Sequence, residues 1–527
     1  MMLAGCTPWP VEFEKRYIDA GYWGTETLGS LPERWAAAGH AHPAIVDSDQ
    51  RIGYPELAER VGRMAGGLRE FGVRAEDRVV VHLPNSADLI LLILALCRLG
   101  AHPVLALPPH RKADLEHVIA VSEARAYITA GEVAGFDHRT LARELLGTVG
   151  LVAIAADDSM ELPRLADLDG PRPQDAADPA DVALFLLSGG TTGRPKLIAR
   201  THRDYIYNLR SSAANAELGP ADVYLAALPI AHNYALACPG VLGTLDAGGT
   251  VVIPPTPSPE DAFESIARER VTVTGLVPPL AMVWAQAAAT GELDSLRLVQ
   301  VGGAKMTAEA AKIIGSALGC RLQQSFGMAE GLLSQSGPGD TAEQLLIAQG
   351  RPISPGDEVR VVDDADRDVP DGEIGRLLVR GPYTIRGYYR ADAYNVTAFT
   401  ADGYLRTGDL VRRLPSGHLV ITGRADDVIN RGGDKIAPDE LEEQLLAHPG
   451  VLDAIVTGMT DASLGERVCA WVVAREPGLE LRELTGFLVS RGVAGYKLPE
   501  RLELLHAFPR TSVGKVDRHR LRKLADR

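Results

Sequence analysis

Cysteine is scarce in this chain and carries no pattern. Five residues, Cys6, Cys97, Cys238, Cys320 and Cys469, are scattered over 527 positions without a C-x-x-C pair. That spacing excludes a disulfide framework and a cysteine-ligated zinc site. Long apolar runs are missing as well. The longest, Leu89 to Cys97, is far short of the about 20 residues a membrane span needs. No apolar stretch precedes Leu3-Ala4-Gly5-Cys6, and acidic and aromatic residues follow at once, so neither a secretory leader nor a lipid anchor is expected. The protein is therefore expected to be cytoplasmic and to have no membrane partner. Positive charge is also in short supply: 54 Lys and Arg against 69 Asp and Glu leave a net charge of −15. Nucleic acid is excluded as a partner, because binding it needs a basic face to displace counterions. A small anion is not excluded, since a local glycine and lysine loop can hold phosphate within an acidic protein.

What is present is globular. Apolar residues make up 46% and charged residues 23% of a chain too long for one core. From Tyr54 to Leu107 a helical pattern, the run Arg78 to Leu83, an apolar helix from Ala87 to Leu99 closed by Gly100, and a strand from Pro103 make a βαβ unit and imply a parallel sheet. The texture recurs at Ala183 to Leu187, Gly249 to Pro254, Val271 to Val277 and Leu298 to Gly303. Beyond about residue 350 it changes to short strands with polar turns at Glu358, Gly375 and His418. The last hundred residues read as a small α+β unit with helices over Pro438 to Ala447 and Leu481 to Ser490. Strands are expected there at Ala454 to Gly458 and Val468 to Ala474. The fold class expected is α/β: a large N-terminal domain, residues 1–424, of mixed, mostly parallel sheets with flanking helices plus a β-rich subdomain. A small mobile α+β C-terminal domain, residues 425–527, follows.

The strongest local signal is Ser188-Gly189-Gly190-Thr191-Thr192-Gly193-Arg194-Pro195-Lys196, reached from an apolar strand. Three glycines, three hydroxyl side chains and a lysine fall within nine positions. Glycines let the backbone approach an anion and turn N–H groups inward, hydroxyls add donors, and Lys196 adds a mobile charge. That is chemistry for cradling a polyphosphate. Lys196 is followed by Leu197, so the loop is not the G-x-x-x-x-G-K-[ST] sequence of GTPase-type proteins.

S-G-G-T-T-G-R-P-K resembles the signature of the adenylate-forming superfamily of acyl-CoA synthetases, luciferases and peptide-synthetase adenylation domains. Further segments resemble that family in the same order, covering about residues 50 to 520. Gln324-Ser325-Phe326-Gly327-Met328-Ala329-Glu330 is similar to its adenine and magnesium segment, which implies Phe326 and Gly327 beside the adenine and Glu330 on Mg²⁺. Gly302-Gly303-Ala304 is similar to the glycine pair at the adenine. Tyr404-Leu405-Arg406-Thr407-Gly408-Asp409 implies that Asp409 accepts the ribose hydroxyls. Gly423-Arg424-Ala425-Asp426-Asp427 implies a nucleotide contact from Arg424 and a hinge at Asp426. Pro509 to Asp517 resembles the mobile loop whose lysine, here Lys515, is catalytic. Lys497 is assigned a supporting role, and the basic tail Arg518 to Lys523 is expected to be a solvated helix face.

The acid is read from Leu228 to Gly243. No aspartate stands there to pair an α-ammonium. His232-Asn233-Tyr234 followed by Cys238-Pro239-Gly240 is similar to the aryl-acid ligases of siderophore pathways. The resemblance implies that Asn233 hydrogen-bonds an ortho-hydroxyl, that Tyr234 lines the ring face, and that His232 attends the carboxylate. Ala304 and Met328 join the same site. Cys238 and Leu333 match the salicylate members, in which a thiol and a larger aliphatic fill the space of an unsubstituted ring. Ser325 departs from the apolar residue usual there and could meet a further ring substituent or heteroatom.

The activity implied is MgATP-dependent conversion of a 2-hydroxyaryl acid to its acyl-adenylate, with ATP a substrate and Mg²⁺ the cofactor. Transfer to a thiol follows. No carrier domain is visible, so a phosphopantetheine arm on a separate aryl carrier protein is the expected acceptor and partner. The alternatives are a benzoate-type CoA ligase, a ligase for 2,3-dihydroxybenzoate, 3-hydroxyanthranilate or 3-hydroxypicolinate, and a non-catalytic nucleotide-binding regulator.

Overall fold

The computed structural model describes residues 3–526, apart from 49, 156–162, 175–176, 189–194, 289–292, 305, 433, 462 and 512–514. The chain separates into two compact units of a mixed α/β fold. The first takes the chain up to Ser188, Pro195 to Glu358, and Val379–Leu405. The second takes Val359–Leu378 and everything from Arg406 onward. The change of domain expected at 424/425 lies inside the second unit.

The first unit is built on two sheets. One runs Leu197–Thr201, Val182–Leu187, His102–Leu105, Arg78–His82, Ala126–Ala130, Leu151–Ala155, with only its first pair antiparallel. Val79, Val80 and Val81 are wholly buried between parallel neighbours, which is why that strand is apolar at consecutive positions. The helix Ala87–Leu99 begins where the Ser86 hydroxyl accepts from the Leu89 N–H. It ends at Gly100 in the left-handed region, φ 74°. Nearly every side chain on it is buried, so it is apolar all round.

The other sheet has nine strands: Arg351–Pro352, Gly331–Gln335, Arg321–Met328, Leu298–Gly302, Val273–Leu276, Val223–Leu225, Thr250–Ile253, Pro43–Asp47 and Gln50–Gly53. Pairings from Arg321–Met328 to Pro43–Asp47 are parallel, and the edges are antiparallel. Helices Gly240–Asp246, Pro259–Glu269, Pro278–Ala287 and Ala308–Leu318 make the crossovers. In such a sheet ligands bind outside the carboxyl ends of the strands. Gly302, Ser325 to Met328, and the segment after Leu225 all lie at those ends.

A four-stranded sheet, most of whose residues belong to the second unit, is ordered Glu358–Val362, Ile374–Arg380, Leu405–Arg413, Leu419–Arg424. A 3₁₀ turn, Ala425–Asp427, leads from it into the α+β part. There Val451–Asp461 and Gly465–Ala474 form a long antiparallel pair, and Arg501–Leu504 adds in parallel. Helices Pro438–Leu446 and Leu481–Ser490 cover a core of Ile429, Leu441, Val456, Val468, Leu484 and Leu488. Among the described residues, no helix is long and apolar enough to cross a membrane.

Candidate active site

In the first unit the site starts from a buried charge. Arg200, on the strand Leu197–Thr201, has no exposed surface. Its Nε donates to Asp204 Oδ1 at 2.8 Å, its Nη1 to the Ala329 carbonyl at 2.9 Å, and its Nη2 to Asn208 Oδ1 at 3.5 Å. The guanidinium lies 4.9 Å from the Tyr205 ring centroid. Asp204 also accepts from the Thr201 N–H and hydroxyl, closing a capping box at the start of the helix His202–Asn215. Neither Arg200 nor Asp204 stands among the expected site residues. An Arg and Asp four apart read from sequence as an ordinary exposed pair.

From this anchor the network reaches the segment after Leu225. Asn208 Nδ2 donates to the Ala237 carbonyl at 2.7 Å, at the end of the short helix Asn233–Ala237. The segment's entrance is pinned by Asn85, whose amide donates to the carbonyls of Ala226 and Leu228 and accepts from the Ile230 N–H at 2.7 Å. Asn85 was not anticipated. His232 caps the helix, its Nδ1 accepting from the Tyr234 N–H at 3.2 Å. With Nδ1 accepting, the neutral ring carries its proton on Nε2.

Asn233 is buried. Its Oδ1 accepts from the Tyr205 hydroxyl at 2.9 Å and its Nδ2 donates to Cys238 Sγ at 3.4 Å. One amide proton and one lone pair are left over, enough to read a hydroxyl from either side. Cys238, Leu333 and Tyr383 form one buried cluster, with Tyr207, Tyr234 and Ile353 packed on it. Burial pushes the Cys238 thiol up to about 12, so it packs as a thiol. Behind Leu333 its N–H donates to the Tyr383 hydroxyl at 3.2 Å, which donates to Asp357 Oδ2 at 2.7 Å. Burial pushes the Asp357 carboxyl up to about 7, against the opposing pull of the Tyr383 hydrogen bond.

The floor is the carboxyl end of the nine-stranded sheet. Gly302, Ser325 and Gln335 are register partners on three neighbouring strands, and Gly327 pairs Leu333 two residues along. A Cβ at Gly302 would come within 2.6 Å of the Ser325 carbonyl, and one at Gly327 within 2.9 Å of the Leu332 carbonyl, so both positions need glycine. The segment Met328 to Gly331 is the turn of a hairpin between Arg321–Met328 and Gly331–Gln335. Phe326 and Met328 are partly buried, and Gly303 and Ala304 are exposed.

At the phosphate signature, the Ser188 N–H donates to the Lys196 carbonyl and the Lys196 N–H to Ser188 Oγ, both at 2.9 Å. Residues Gly189, Gly190, Thr191, Thr192 and Gly193 lie outside the described residues. The Lys196 ammonium sits 4.0 Å from the Tyr394 ring centroid and 5.7 Å from that of Tyr388. Tyr388 donates its hydroxyl to Glu330 Oε1 at 2.8 Å, and the Ile385 N–H holds the Glu330 carbonyl. Among the described residues Glu330 Oε2 has no hydrogen-bond partner. One oriented carboxylate with a free oxygen, sharing Tyr388 with the Lys196 ammonium, suits Mg²⁺, which is held by one or two carboxylates plus phosphate oxygens.

The second unit gathers another set. Asp409 accepts from Arg424 Nη1 at 3.0 Å. Gly408 between them has φ 78°, and a Cβ there would come within 2.7 Å of Arg424 Nη2. Burial raises the Asp409 carboxyl, while Arg424, the Thr407 hydroxyl and Lys515 pull it back. Lys515 is exposed; beside it Arg510 pairs antiparallel with Val516, and the Thr511 N–H donates to the Lys515 carbonyl at 2.7 Å. Lys497 is bound by both oxygens of Glu440 at 2.7 Å. The basic tail is not simply a solvated face. Arg518 makes a two-pronged pair with Glu442 at 2.6 and 2.7 Å, and Arg522 donates to the carbonyls of Asp426 and Asp427, each at 3.1 Å. His519, Arg520 and Lys523 are exposed as expected.

The geometry has counterparts among known proteins. Residues 32–389 match the AMP-binding enzyme family, and residues 440–515 match the AMP-binding enzyme C-terminal domain. The chain is 49% identical to the 2,3-dihydroxybenzoate-AMP ligase of Bacillus subtilis, over 99% of this chain and 98% of that one. It is 45% identical to the salicyl-AMP ligase / salicyl-S-ArCP synthetase of Mycobacterium tuberculosis, over 98% and 94%. Among solved structures, the apo structure of Mycobacterium smegmatis MbtA covers 99% of both chains with a TM-score of 0.78 at 46% identity.

Two stability outcomes follow. Arg200→Ala leaves Asp204 buried and uncompensated and should cost about 3–5 kcal/mol in chemical denaturation. A cost below about 1 kcal/mol would show that the pair anchors nothing. Asp357 has a folded value above its unfolded one, so its contribution is fully present below the unfolded value near 3.8 and is lost as pH rises through about 7. The melting temperature of the wild type relative to Asp357→Asn should therefore fall between pH 5 and pH 8. A constant difference contradicts the shift.

Proposed function

The chain belongs to the AMP-binding enzyme family and is an aryl-acid–AMP ligase, and from that premise we propose that its acid is a 2-hydroxyaryl carboxylic acid, salicylate or a substituted salicylate-like acid. The observation that carries this reading is the Asn233 amide, oriented by Tyr205 and Cys238 and keeping one donor and one acceptor free. An ortho-hydroxyl can use both, and a ring without that hydroxyl leaves a buried amide unpaired. Tyr234, Ala304, Ser325, Met328 and the apolar wall of Cys238 and Leu333 complete the acid site.

The substrate carboxylate attacks the α-phosphorus of ATP, and the bond to the bridging oxygen of pyrophosphate breaks. Ser188, Lys196 and the loop Gly189-Gly190-Thr191-Thr192-Gly193 bind the phosphates. Gly302, Gly303, Phe326 and Gly327 border the adenine, and Asp409 with Arg424 holds the ribose side. Glu330 would hold Mg²⁺, which would supply neutralisation of phosphate charge. His232 orients the carboxylate, and Lys515 stabilises the charge that develops between carboxylate and α-phosphate, the kind of preorganised contact that dominates such catalysis. The small C-terminal domain, residues 425–527, then turns about Asp426. The acyl group passes to the phosphopantetheine thiol of a separate aryl carrier protein in the cytoplasm, the thiolate displacing AMP.

ATP–pyrophosphate exchange with salicylate, 2,3-dihydroxybenzoate, 3-hydroxyanthranilate, 3-hydroxypicolinate, 6-methylsalicylate and benzoate tests the reading; the absence of exchange with every 2-hydroxyaryl acid would sink it. Asn233→Ala should narrow the preference for salicylate over benzoate by about tenfold. Lys515→Ala should slow exchange by about a hundredfold or more. Tyr388→Phe, which frees the Glu330 carboxylate, should raise the Mg²⁺ concentration for half-maximal exchange by about tenfold, and an unchanged Mg²⁺ titration contradicts the role of Glu330. Offering CoA and a phosphopantetheinylated carrier protein in competition decides the thiol, and a preference for CoA refutes the carrier assignment.

A further inference from the structure

The hydrogen bonds around Ser325 leave one donor without a use. Gln335 Oε1 accepts from the Ser212 hydroxyl at 3.4 Å and from Asn215 Nδ2 at 3.3 Å. Its Nε2 donates to the Cys238 carbonyl at 3.4 Å and to Ser325 Oγ at 3.2 Å. A backbone carbonyl can only accept, so the amide cannot be turned over, and both of its protons are engaged. Ser325 Oγ is therefore an acceptor toward Gln335. A hydroxyl carries a single proton, and that of Ser325 has no acceptor among the described residues.

A second hydroxyl lies close by in the same condition. A Cβ built at Gly302 would stand 3.1 Å from Ser325 Cβ and 3.2 Å from Tyr234 Cζ. The missing side chain at Gly302 thus separates Ser325 from the phenol end of Tyr234. The Tyr234 hydroxyl is buried and has no partner among the described residues. Two donors converge on one notch at the carboxyl end of the sheet, beside the wall of Cys238 and Leu333. Buried polar groups in folded proteins are nearly all paired, so a pair of unused donors in a ligand site points to what the ligand brings.

We infer that the acid's ring carries a lone-pair acceptor, a ring nitrogen or an oxygen substituent, on the edge that faces Ser325 and Tyr234. This rests on the aryl-acid reading above and narrows it. Salicylate fits the wall but offers the notch only C–H. A donor-only substituent such as an amine meets two hydroxyl protons and gains less than an acceptor does.

The test is kcat/KM by ATP–pyrophosphate exchange, with calorimetric binding of each acid, for salicylate, 3-hydroxypicolinate and 6-methoxysalicylate, the last two carrying nitrogen and oxygen on the same ring edge. At least one of the two acceptor-bearing acids should exceed salicylate by about tenfold, the ring nitrogen or the oxygen being identified by which one does. Ser325→Ala and Tyr234→Phe should each shrink that ratio several-fold, and Ser325→Thr, which keeps the hydroxyl, should preserve most of it. A variant that fails to fold is replaced by the other, since each removes one donor of the pair. Salicylate equal to or better than both acids overturns the inference, as does a ratio that neither variant moves. Exchange with none of the acids is a different result and refutes the 2-hydroxyaryl-acid reading itself.

Discussion

A guanidinium taken wholly out of water is the constraint on which the first unit depends. Arg200 is tolerated there because every side of it is met: Asp204 by charge, Ala329 and Asn208 by oxygen lone pairs, Tyr205 by its ring face. A buried pair of this kind is weak as a source of net stability, since desolvation offsets much of the attraction. What it does supply is registry. Three segments far apart in sequence are tied to one group. They are the strand leaving the phosphate signature, the hairpin turn that presents Glu330, and, through Asn208 and the Ala237 carbonyl, the helix that presents Asn233. The carboxylate suited to Mg²⁺ and the amide suited to the ring are therefore positioned from the same anchor.

The proposed acid site combines an apolar wall with a small number of polar atoms whose directions are decided elsewhere. Tyr205 and Cys238 orient Asn233, and Gln335 orients Ser325 while being held by Ser212 and Asn215. Tyr383 carries the Leu333 backbone on one side and a carboxyl of raised affinity for protons on the other. Discrimination in such a site comes less from attraction than from the cost of leaving these buried groups unpaired. The phosphate side follows another logic: Lys196 rests on aromatic rings and Glu330 on a phenol, so charges are held near where they are needed without being neutralised by each other.

Much of the architecture is legible in the residues. The helix Ala87–Leu99, with Ser86 before it and Gly100 after it, has the extent its caps and apolar run dictate. The parallel strands at Val273, Leu298 and Val182 declare themselves by short apolar runs ending in glycine or polar residues. Long-range pairing is less legible. The strand Leu197–Thr201 looks like the mere exit of a loop, and Gly327 to Glu330 resembles a loop before a helix although it closes a β-hairpin. Val451–Asp461 outruns its apolar centre because its polar ends are paired along Gly465–Ala474. The candidate site residues that stand in motifs are visible because motifs are local. Arg200, Asn85, Tyr205 and Gln335 are invisible because each has a partner tens of positions or more away and their types, read singly, suit the surface. The C-terminal tail misleads for the same reason: Arg518 and Arg522 look solvated until Glu442 and the carbonyls of Asp426 and Asp427 are brought to them.

The proposed selectivity turns on a ring held by its ortho-hydroxyl at Asn233. Mass spectrometry of the acyl-adenylate formed when MgATP is given an equimolar mixture of salicylate and benzoate measures that directly. Salicyl-adenylate in large excess is the result predicted. Equal amounts of the two adenylates, or benzoyl-adenylate in excess, would contradict it.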